Sequence, residues 1–245
     1  MPIQGLVGYG GGATSLNTGT APLWGDYSVF FDGDDDFLTF ADNSSYAAGT
    51  GDLCVEFWCK LSSTGTYQNV VATRDSSGTT AGWTFSRESD GTIGFYSTNQ
   101  QYTPAGNIAT GTWTHVVAQR ESSKLRAFQD GVLIGYNGNQ SQNFTNQLFT
   151  IGINCDNGGV GWVEGYLSNV RYVTGSVPTT YSTTETSLGE TCFTVPSTPL
   201  TLTSQGCTSS DVAFLGCNYR NVSLYTHAAS AMTVTGCTGG HDGPF

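Results

Sequence analysis

The stretch Leu53-Cys-Val-Glu-Phe-Trp-Cys-Lys-Leu61 decides the fold class of this chain. Successive side chains of a β-strand point to opposite faces, so the stretch alternates between two sets of residues. The same alternation places Cys54 and Cys59 on opposite faces, where they cannot bond to each other. The set that we expect to face the core is apolar throughout and consists of Leu53, Val55, Phe57, Cys59 and Leu61.

Short alternating or apolar runs of this kind, separated by turn signals, continue along the chain and predict a many-stranded antiparallel fold. Asp130-Gly131 lies between two of them and predicts a type I′ hairpin, because that turn needs positive φ at both central residues. No capped helical period of useful length is present. The predicted strands are 27–31, 37–40, 53–61, 69–73, 82–87, 92–97, 112–120, 124–129, 132–136, 148–153 and 163–173, followed by short edge runs at 199–203, 212–217 and 232–235.

Length and composition limit the function. The 245 residues suffice for one large β domain, and only 11% of them are charged. The net charge of -11 repels phosphate backbones, which argues against a nucleic-acid partner. No apolar run is long enough for a secretory signal or a membrane span, so we expect synthesis in the cytoplasm without a signal peptide and no membrane insertion. The seven cysteines lack CxxC spacing and favour free thiols.

The composition divides the chain into three parts. Residues 1–24 form a Gly-rich N-terminal arm, in which Leu23 and Trp24 are the expected assembly anchor at the root. Residues 25–178 form the sandwich. Residues 179–245 are a Thr/Ser/Pro-rich connection, which we expect to run along the surface, with C-terminal strands that complete or flank the sandwich.

Five segments in order resemble the laminin-G-like members of the concanavalin-A-like lectin and glucanase superfamily. The resemblance implies an all-β jelly-roll sandwich of two antiparallel sheets, to which the composition adds the extended N-terminal arm and the C-terminal tail. Lectins, glycanases and purely structural modules all use this fold. The segments that carry the resemblance are 29–38, 51–60, 111–120, 125–133 and 165–173.

The flanks resemble those of such domains in marine bacteriophage virion proteins. The matching pieces are Pro196-Ser-Thr-Pro-Leu-Thr201, Phe214-Leu-Gly-Cys217 and Gly243-Pro-Phe245. This resemblance implies a virion protein on the particle surface, as capsid decoration or as part of a tail fibre, in many copies or as a homo-oligomer with other virion proteins as partners. The alternatives are a carbohydrate-binding lectin module that recognises a host surface polysaccharide and, less favoured, a glycan hydrolase.

Four aromatic residues are candidates for glycan contact, namely Trp58, Tyr96, Tyr102 and Trp162. Trp58 points away from the face that bears Phe57, and the other three lie near predicted strand ends or loops. The alternative is that the arm or the C-terminal tail covers Trp58 and that the other rings pack at a subunit interface.

Acidic residues offer one candidate metal site and a weak candidate for catalysis. Asp34 and Asp36 lie in the acidic run 32–36, where a tight loop could supply oxygen ligands to calcium; the alternative is a polar hairpin turn between the flanking strands. Glycanases need two carboxylates on one face, and only Glu88-Ser-Asp90 comes near that pattern, just before a turn. His115 lies in a predicted strand as an ordinary sheet residue. We therefore expect no enzymatic activity and no cofactor other than possible calcium.

Overall fold

The computed structural model describes residues 27–62, 66–74, 81–97, 100–102, 104, 106–153, 161–223, 225, 227–240 and 243–245. The predicted N-terminal arm, with Leu23 and Trp24, lies outside the described residues. In the described part no helix is long and apolar enough to cross a membrane.

The described residues form two antiparallel sheets. One sheet has nine strands: β1 (Ser28–Asp32), β3 (Leu53–Leu61), β8 (Thr114–Glu121), β9 (Lys124–Gln129), β10 (Val132–Asn137), β12 (Glu164–Thr174), β13 (Val212–Gly216), β14 (His227–Ala228) and β16 (Thr238–Gly240). The other has seven: β2 (Phe37–Phe40), β4 (Gln68–Ala72), β5 (Trp83–Arg87), β6 (Ile93–Ser97), β7 (Gln100–Tyr102), β11 (Phe149–Ile151) and β15 (Met232–Thr235).

The order of the strands places β3 and β12 at the centre of the nine-stranded sheet. That sheet runs β10-β9-β8-β3-β12-β1-β16, with β13 also paired to β12 and β14 paired to β13. The seven-stranded sheet runs β15-β2-β11-β4-β5-β6-β7. The helices of the described residues are three 3-10 turns, at Ser44–Tyr46, Ser204–Gly206 and Ser209–Asp211. The prediction of an all-β sandwich of two antiparallel sheets is confirmed.

The core between the sheets confirms the alternation predicted for β3. Leu53, Val55, Phe57, Cys59 and Leu61 are all buried in the main core cluster. The Phe57 ring meets a ring of the opposite sheet edge-on, with 5.2 Å between the centroids. The core-facing residues of β3 thus pack against the opposite sheet.

The outer face of β3 is buried as well, because the segment 179–207, here called the C-terminal wrap, lies across it. Cys54 and Trp58 form a second apolar cluster with residues of the wrap. Tyr181 and Leu200 of the wrap are fully buried. The expectation that this connection runs along the surface without packing is wrong, since a few apolar residues among many Thr and Ser suffice to cover a sheet.

The hairpins show where turn chemistry can be read directly. Asp130 and Gly131 join β9 to β10 with φ values of 50° and 81°, which confirms the type I′ turn. Ser122 and Ser123 join β8 to β9 in the same left-handed region, at 50° and 62°. The second turn contains no glycine, so its sequence does not indicate the positive φ values that it adopts.

Two local predictions are wrong. β1 and β2 belong to different sheets, so the acidic run between them is a crossing between sheets and not a hairpin turn. Residues 199–203 do not form a strand, because side chains take the place of ladder partners: the Leu200 amide donates to Asn169 Oδ1 and the Thr201 amide donates to Ser204 Oγ, both at 2.9 Å.

Candidate functional site

The outer face of the seven-stranded sheet carries a group of polar and aromatic side chains where β4, β5 and β6 lie side by side. Asn69 pairs with Ser86, which pairs in turn with Gly94. Because Phe85 and Phe95, the next pair along β5 and β6, lie in the core, this register directs Asn69 and Ser86 to the outer face. The group, here called the outer cluster, consists of Tyr67, Asn69, Ser86, Glu88 and Tyr96.

Hydrogen bonds fix the orientation of the outer cluster. The Tyr67 hydroxyl donates to Asn69 Oδ1 at 2.7 Å, and the Ser86 hydroxyl donates to Glu88 Oε1 at 2.7 Å. The Tyr67 and Tyr96 rings meet edge-on at 6.1 Å, with 80° between their planes. Both rings are half-buried, so each keeps part of its surface open to solvent.

The electrostatics of the outer cluster keep both phenols protonated at neutral pH. Burial raises the pKa of Tyr96, and its hydrogen bond with Glu88 and the negative charge of Glu88 raise it further. Burial also raises the pKa of Tyr67. The cluster therefore combines neutral hydroxyl groups with one carboxylate and one amide, all at the edges of two aromatic rings.

Two glycines allow the rings to lie close to the backbone. A Cβ atom built on Gly94 would lie 2.6 Å from the Tyr96 ring, and one built on Gly161 would lie 2.9 Å from the Tyr67 ring. Gly161 also has a φ of 82°, which side chains rarely adopt. Either glycine changed to a larger residue would displace its ring.

Trp162, one of the predicted glycan residues, follows Gly161 directly and is half-buried. Its ring lies 5.6 Å from that of Phe37, an outward-facing residue of β2. Trp162 thus follows directly after the glycine that packs against Tyr67, and its own ring packs on the outer face of β2. The structure thus brings two of the four predicted residues to one face of one sheet.

The other two predicted glycan residues differ from these. Trp58 is only 4% exposed and lies on the opposite sheet, with its ring 5.0 Å from Phe245 and 4.2 Å from His115. Its assignment as a glycan contact is wrong in this structure, because the C-terminal residue covers it, as the alternative interpretation foresaw. Tyr102 is paired with Phe95 in β7, and its side chain lies outside the described part of the structure.

A second polar group lies under the C-terminal wrap. Glu56 Oε1 accepts a hydrogen bond from Arg171 Nε at 2.7 Å, and Glu56 Oε2 accepts one from the Tyr181 hydroxyl at 2.7 Å; His115 Nε2 lies 3.4 Å from the same Oε2. All four side chains are buried. We call Glu56, His115, Arg171 and Tyr181 the buried quartet.

The buried quartet fastens the wrap to the sheet. Arg171 Nη1 donates to the carbonyl oxygens of Thr201 and Ser204, each at 2.9 Å. Burial alone would raise the pKa of Glu56, but the charge of Arg171 and the hydrogen bonds from His115 and Tyr181 outweigh it and lower the pKa. Glu56 is thus a buried, paired carboxylate that stabilises the contact between the wrap and the sheet and is not accessible to a substrate.

Of the two predicted calcium ligands, Asp36 lies in a group of neighbouring carboxylates and Asp34 does not. Carboxylate oxygens of Asp32, Asp35 and Asp36 lie within 4.8 Å of one another, whereas Asp34 is not in this group. Asp36 is 5% exposed and accepts from the Asp32 amide at 2.9 Å; burial raises its pKa, with the charges of Asp32 and Asp35 adding to the rise. Asp32 Oδ1 accepts from the Asp34 amide at 2.9 Å. Calcium binding here stays a prediction.

The candidate acid pair separates in the structure. Glu88 belongs to the outer cluster, whereas Asp90 Oδ1 accepts from the amide and hydroxyl of Thr92, at 2.9 and 2.6 Å. Asp90 therefore stabilises the β5–β6 turn. Tyr67, Asn69 and Ser86 were not among the predicted site residues, because only the register of β4 on β5 brings them beside Glu88 and Tyr96.

Comparison with known proteins agrees with the geometry of the sandwich. A laminin-G family model described as "Concanavalin A-like lectin/glucanases superfamily" matches residues 32–178. The chain belongs to this superfamily. No curated protein matches the sequence. Residues 32–178 span β2 to β12 together with the outer cluster, so the family's domain contains the candidate site.

Two solved structures show the same fold. A putative carbohydrate binding protein from Bacteroides ovatus is 14% identical, with a TM-score of 0.51, over 64% of this chain and 46% of that one. The heptameric SAP-like pentraxin from Limulus polyphemus is also 14% identical, with a TM-score of 0.51, over 90% of this chain and 97% of that one. This chain spans less than half the length of the Bacteroides protein. At this identity the likeness concerns the fold alone.

Proposed function

We propose that this chain is a carbohydrate-binding protein of the lectin type that works without catalysis, and that the outer cluster contacts the sugar. The observation that carries the proposal is the pair of half-buried rings, Tyr67 and Tyr96, held edge-on beside the Glu88 carboxylate and the Asn69 amide. The superfamily, and the likeness of the fold to a putative carbohydrate binding protein from Bacteroides ovatus, support it.

The chemistry of the outer cluster suits a sugar ring. A pyranose has apolar C–H faces and a rim of hydroxyl groups, so it needs an aromatic surface and several fixed hydrogen-bonding groups. Tyr67, Tyr96 and Trp162 offer the first, and the half-buried Glu88 carboxylate offers the second, while the buried Asn69 amide orients the Tyr67 hydroxyl. A hydrogen bond from Ser86 already orients Glu88, which reduces the entropy lost when a ligand binds.

The absence of catalysis is part of the proposal. Hydrolysis by a carboxylate pair needs a second acid across the glycosidic bond, at about 5 to 10 Å. Asp90 accepts two hydrogen bonds from Thr92 within the β5–β6 turn, so it does not serve as the second acid beside Glu88. We expect incubation with a bound polysaccharide to release no reducing ends. Release that Glu88→Gln abolishes would contradict this part of the proposal.

A glycan array tests the proposal directly. We expect the unaltered chain to bind at least one class of polysaccharide, and Tyr96→Ala and Tyr67→Ala to reduce that binding at least tenfold. Tyr225→Ala is the matched control, because Tyr225 is 37% exposed and lies outside the outer cluster. Repeating the array in excess chelator shows whether calcium at Asp32, Asp35 and Asp36 contributes. An array without any binding would contradict the proposal.

A second candidate function is a structural role on a phage particle, supported by the resemblance of the flanks. Two of those flanks pack within the chain itself: Phe214-Leu-Gly-Cys217 contributes to β13, and Phe245 covers Trp58, so the virion role rests on the resemblance alone. Deletion of residues 2–20 tests this role. We expect the deleted chain to keep its melting temperature and to enter particles poorly. Normal incorporation would show that the arm and its anchor, Leu23 and Trp24, do not attach the protein.

A further inference from the structure

Gln68 and Arg87 form an unusual pair inside the sandwich, apart from the outer cluster and from the buried quartet. They lie directly opposite each other on β4 and β5, and Arg87 pairs on its other side with Ile93, a core residue. Gln68 is 0% exposed and Arg87 is 3% exposed. Side chains of a directly opposed pair share one face of a sheet, and here that face is the interior.

Each side chain of this pair has one polar contact and one buried nitrogen without a partner. Gln68 Oε1 accepts from the Glu164 amide at 3.2 Å, and Arg87 Nε donates to the Ile108 carbonyl oxygen at 3.2 Å. Gln68 Nε2 and Arg87 Nη1 are buried and have no hydrogen-bond partner. Two buried N–H donor groups on adjacent strands thus lack an acceptor, which is costly for a folded protein.

The guanidinium of Arg87 also forms no ion pair within the described residues, and the exposed Asp90 carboxylate interacts with it only at longer range. Among the described residues, the carboxylates within 4.0 Å of a basic group are Glu56 and Glu121, which lie beside His115, Arg171 and Arg126, and none lies beside Arg87. A buried guanidinium remains charged and requires a negative partner or a dense set of acceptors. The single neutral carbonyl of Ile108 does not supply that.

We propose that Arg87 and Gln68 bind a small monovalent anion of the halide class between the two sheets. Arg87 Nη1 and Gln68 Nε2 supply the N–H donors, and one positive charge matches one negative charge. Ile93 and Ile108 are fully buried nearby and exclude water from the surroundings, which strengthens the interaction. The site stabilises the contact between β4, β5 and the residues that lead into β8 and β12.

Anion-dependent unfolding tests the site in solution. Thermal unfolding of the full chain is measured in sodium bromide and in sodium gluconate at equal ionic strength. Ligand that binds only the folded chain raises the melting temperature, so we expect a midpoint several degrees higher in bromide. Arg87→Met should remove this difference. Arg126→Met is the matched control and should keep it, because Arg126 is equally buried but has Glu121 at 4.0 Å and the Glu185 carbonyl at 2.9 Å.

Gln68→Glu is the second variant and keeps the test decisive if Arg87→Met fails to fold. The new carboxylate still accepts from the Glu164 amide and places a fixed negative charge beside Arg87, so the chain should fold and lose its bromide response. Anomalous scattering from bromide in crystals should give a peak within hydrogen-bond distance of both nitrogens. A water molecule at that position, or an unchanged bromide response in Gln68→Glu, would overturn the proposal.

Discussion

The outer faces of the two sheets are used in opposite ways. On the nine-stranded sheet the C-terminal wrap covers the face, and its Tyr181, Phe193 and Leu200 form a second core with Trp58. On the seven-stranded sheet the corresponding surface carries the outer cluster, in which Tyr67 and Tyr96 remain half-buried. One face is therefore covered by the chain itself, whereas the other, where we propose that the sugar binds, keeps aromatic surface open to solvent.

The difference shows that similar residue types act differently according to what covers them. Each face has a glutamate that is hydrogen-bonded to a hydroxyl and close to a tyrosine: Glu56 with Tyr181, and Glu88 with Tyr96. Glu56 also has Arg171 beside it and is fully buried, so its hydrogen bonds hold the wrap in place. Glu88 is half-buried and forms no ion pair with any of the described residues, which suits the role that we propose for it in binding a sugar.

Removal of Arg171 should have the largest effect on this comparison. Arg171→Met leaves Glu56 as an unpaired buried charge, and breaking such a pair typically costs about 3–5 kcal/mol of folding free energy. Urea denaturation measures the loss. Lys60→Met, on the same sheet but partly exposed, should change the stability by less than about 0.5 kcal/mol. Equal effects of the two variants would mean that the wrap does not depend on the ion pair.

Acid should act on the covered face through Glu56. The pKa of Glu56 is lower in the folded chain than its ordinary value of 4.5, so the unfolded chain takes up its proton first as the pH falls. The stabilisation is fully present above pH 4.5 and is lost as the pH falls through the folded pKa. Urea denaturation as a function of pH should show a decline below that value that is absent in a Glu56→Gln variant. An equal decline in both would place the acid sensitivity elsewhere.

Tyr181→Phe tests the hydrogen bond between the wrap and the sheet alone. The substitution keeps the ring and removes the hydroxyl that donates to Glu56 at 2.7 Å. A hydrogen bond to a charged group contributes about 1.5–3 kcal/mol, so we expect a loss of that size in urea denaturation. A change within experimental error would show that the ring, and not the hydroxyl, holds the wrap.

Tyr96→Phe is the counterpart on the open face and should have the smallest effect on stability. Tyr96 is half-buried, and loss of its hydroxyl should change the free energy of unfolding by less than about 0.5 kcal/mol. Glycan binding should nevertheless weaken, because Glu88 loses an oriented partner. A loss of stability as large as that of Tyr181→Phe would mean that the outer cluster is also a structural unit.

Local patterns predicted much of the fold. The alternation in β3 identified both faces correctly, and Asp130-Gly131 identified its hairpin, because both signals depend on neighbouring residues alone. The turn at Ser122-Ser123 was missed, since serine seldom adopts positive φ. Residues 199–203 have the apolar content of an edge strand, but side-chain hydrogen bonds from distant and local residues take up their amides.

The candidate site was harder to predict because it depends on register. Alternation showed that Trp58 and Phe57 point to opposite faces, but nothing local shows that Phe245, far along the chain, covers Trp58. Tyr67 and Asn69 likewise join Tyr96 only through the pairing of β4, β5 and β6. Tyr96 and Trp162 were predicted from their positions near strand ends and loops, where aromatic residues are good candidates for ligand contact in such a fold.

Hydrogen exchange at the C-terminal wrap tests the central claim most directly. The amide of Leu200 donates to Asn169 and the amide of Cys192 donates to the Gly131 carbonyl, so both are protected only while the wrap covers the sheet. If the wrap is part of the folded unit, these amides should exchange as slowly as those of β12, through global unfolding alone. Exchange of Leu200 and Cys192 at the rate of an open loop, while β12 stays protected, would contradict the account.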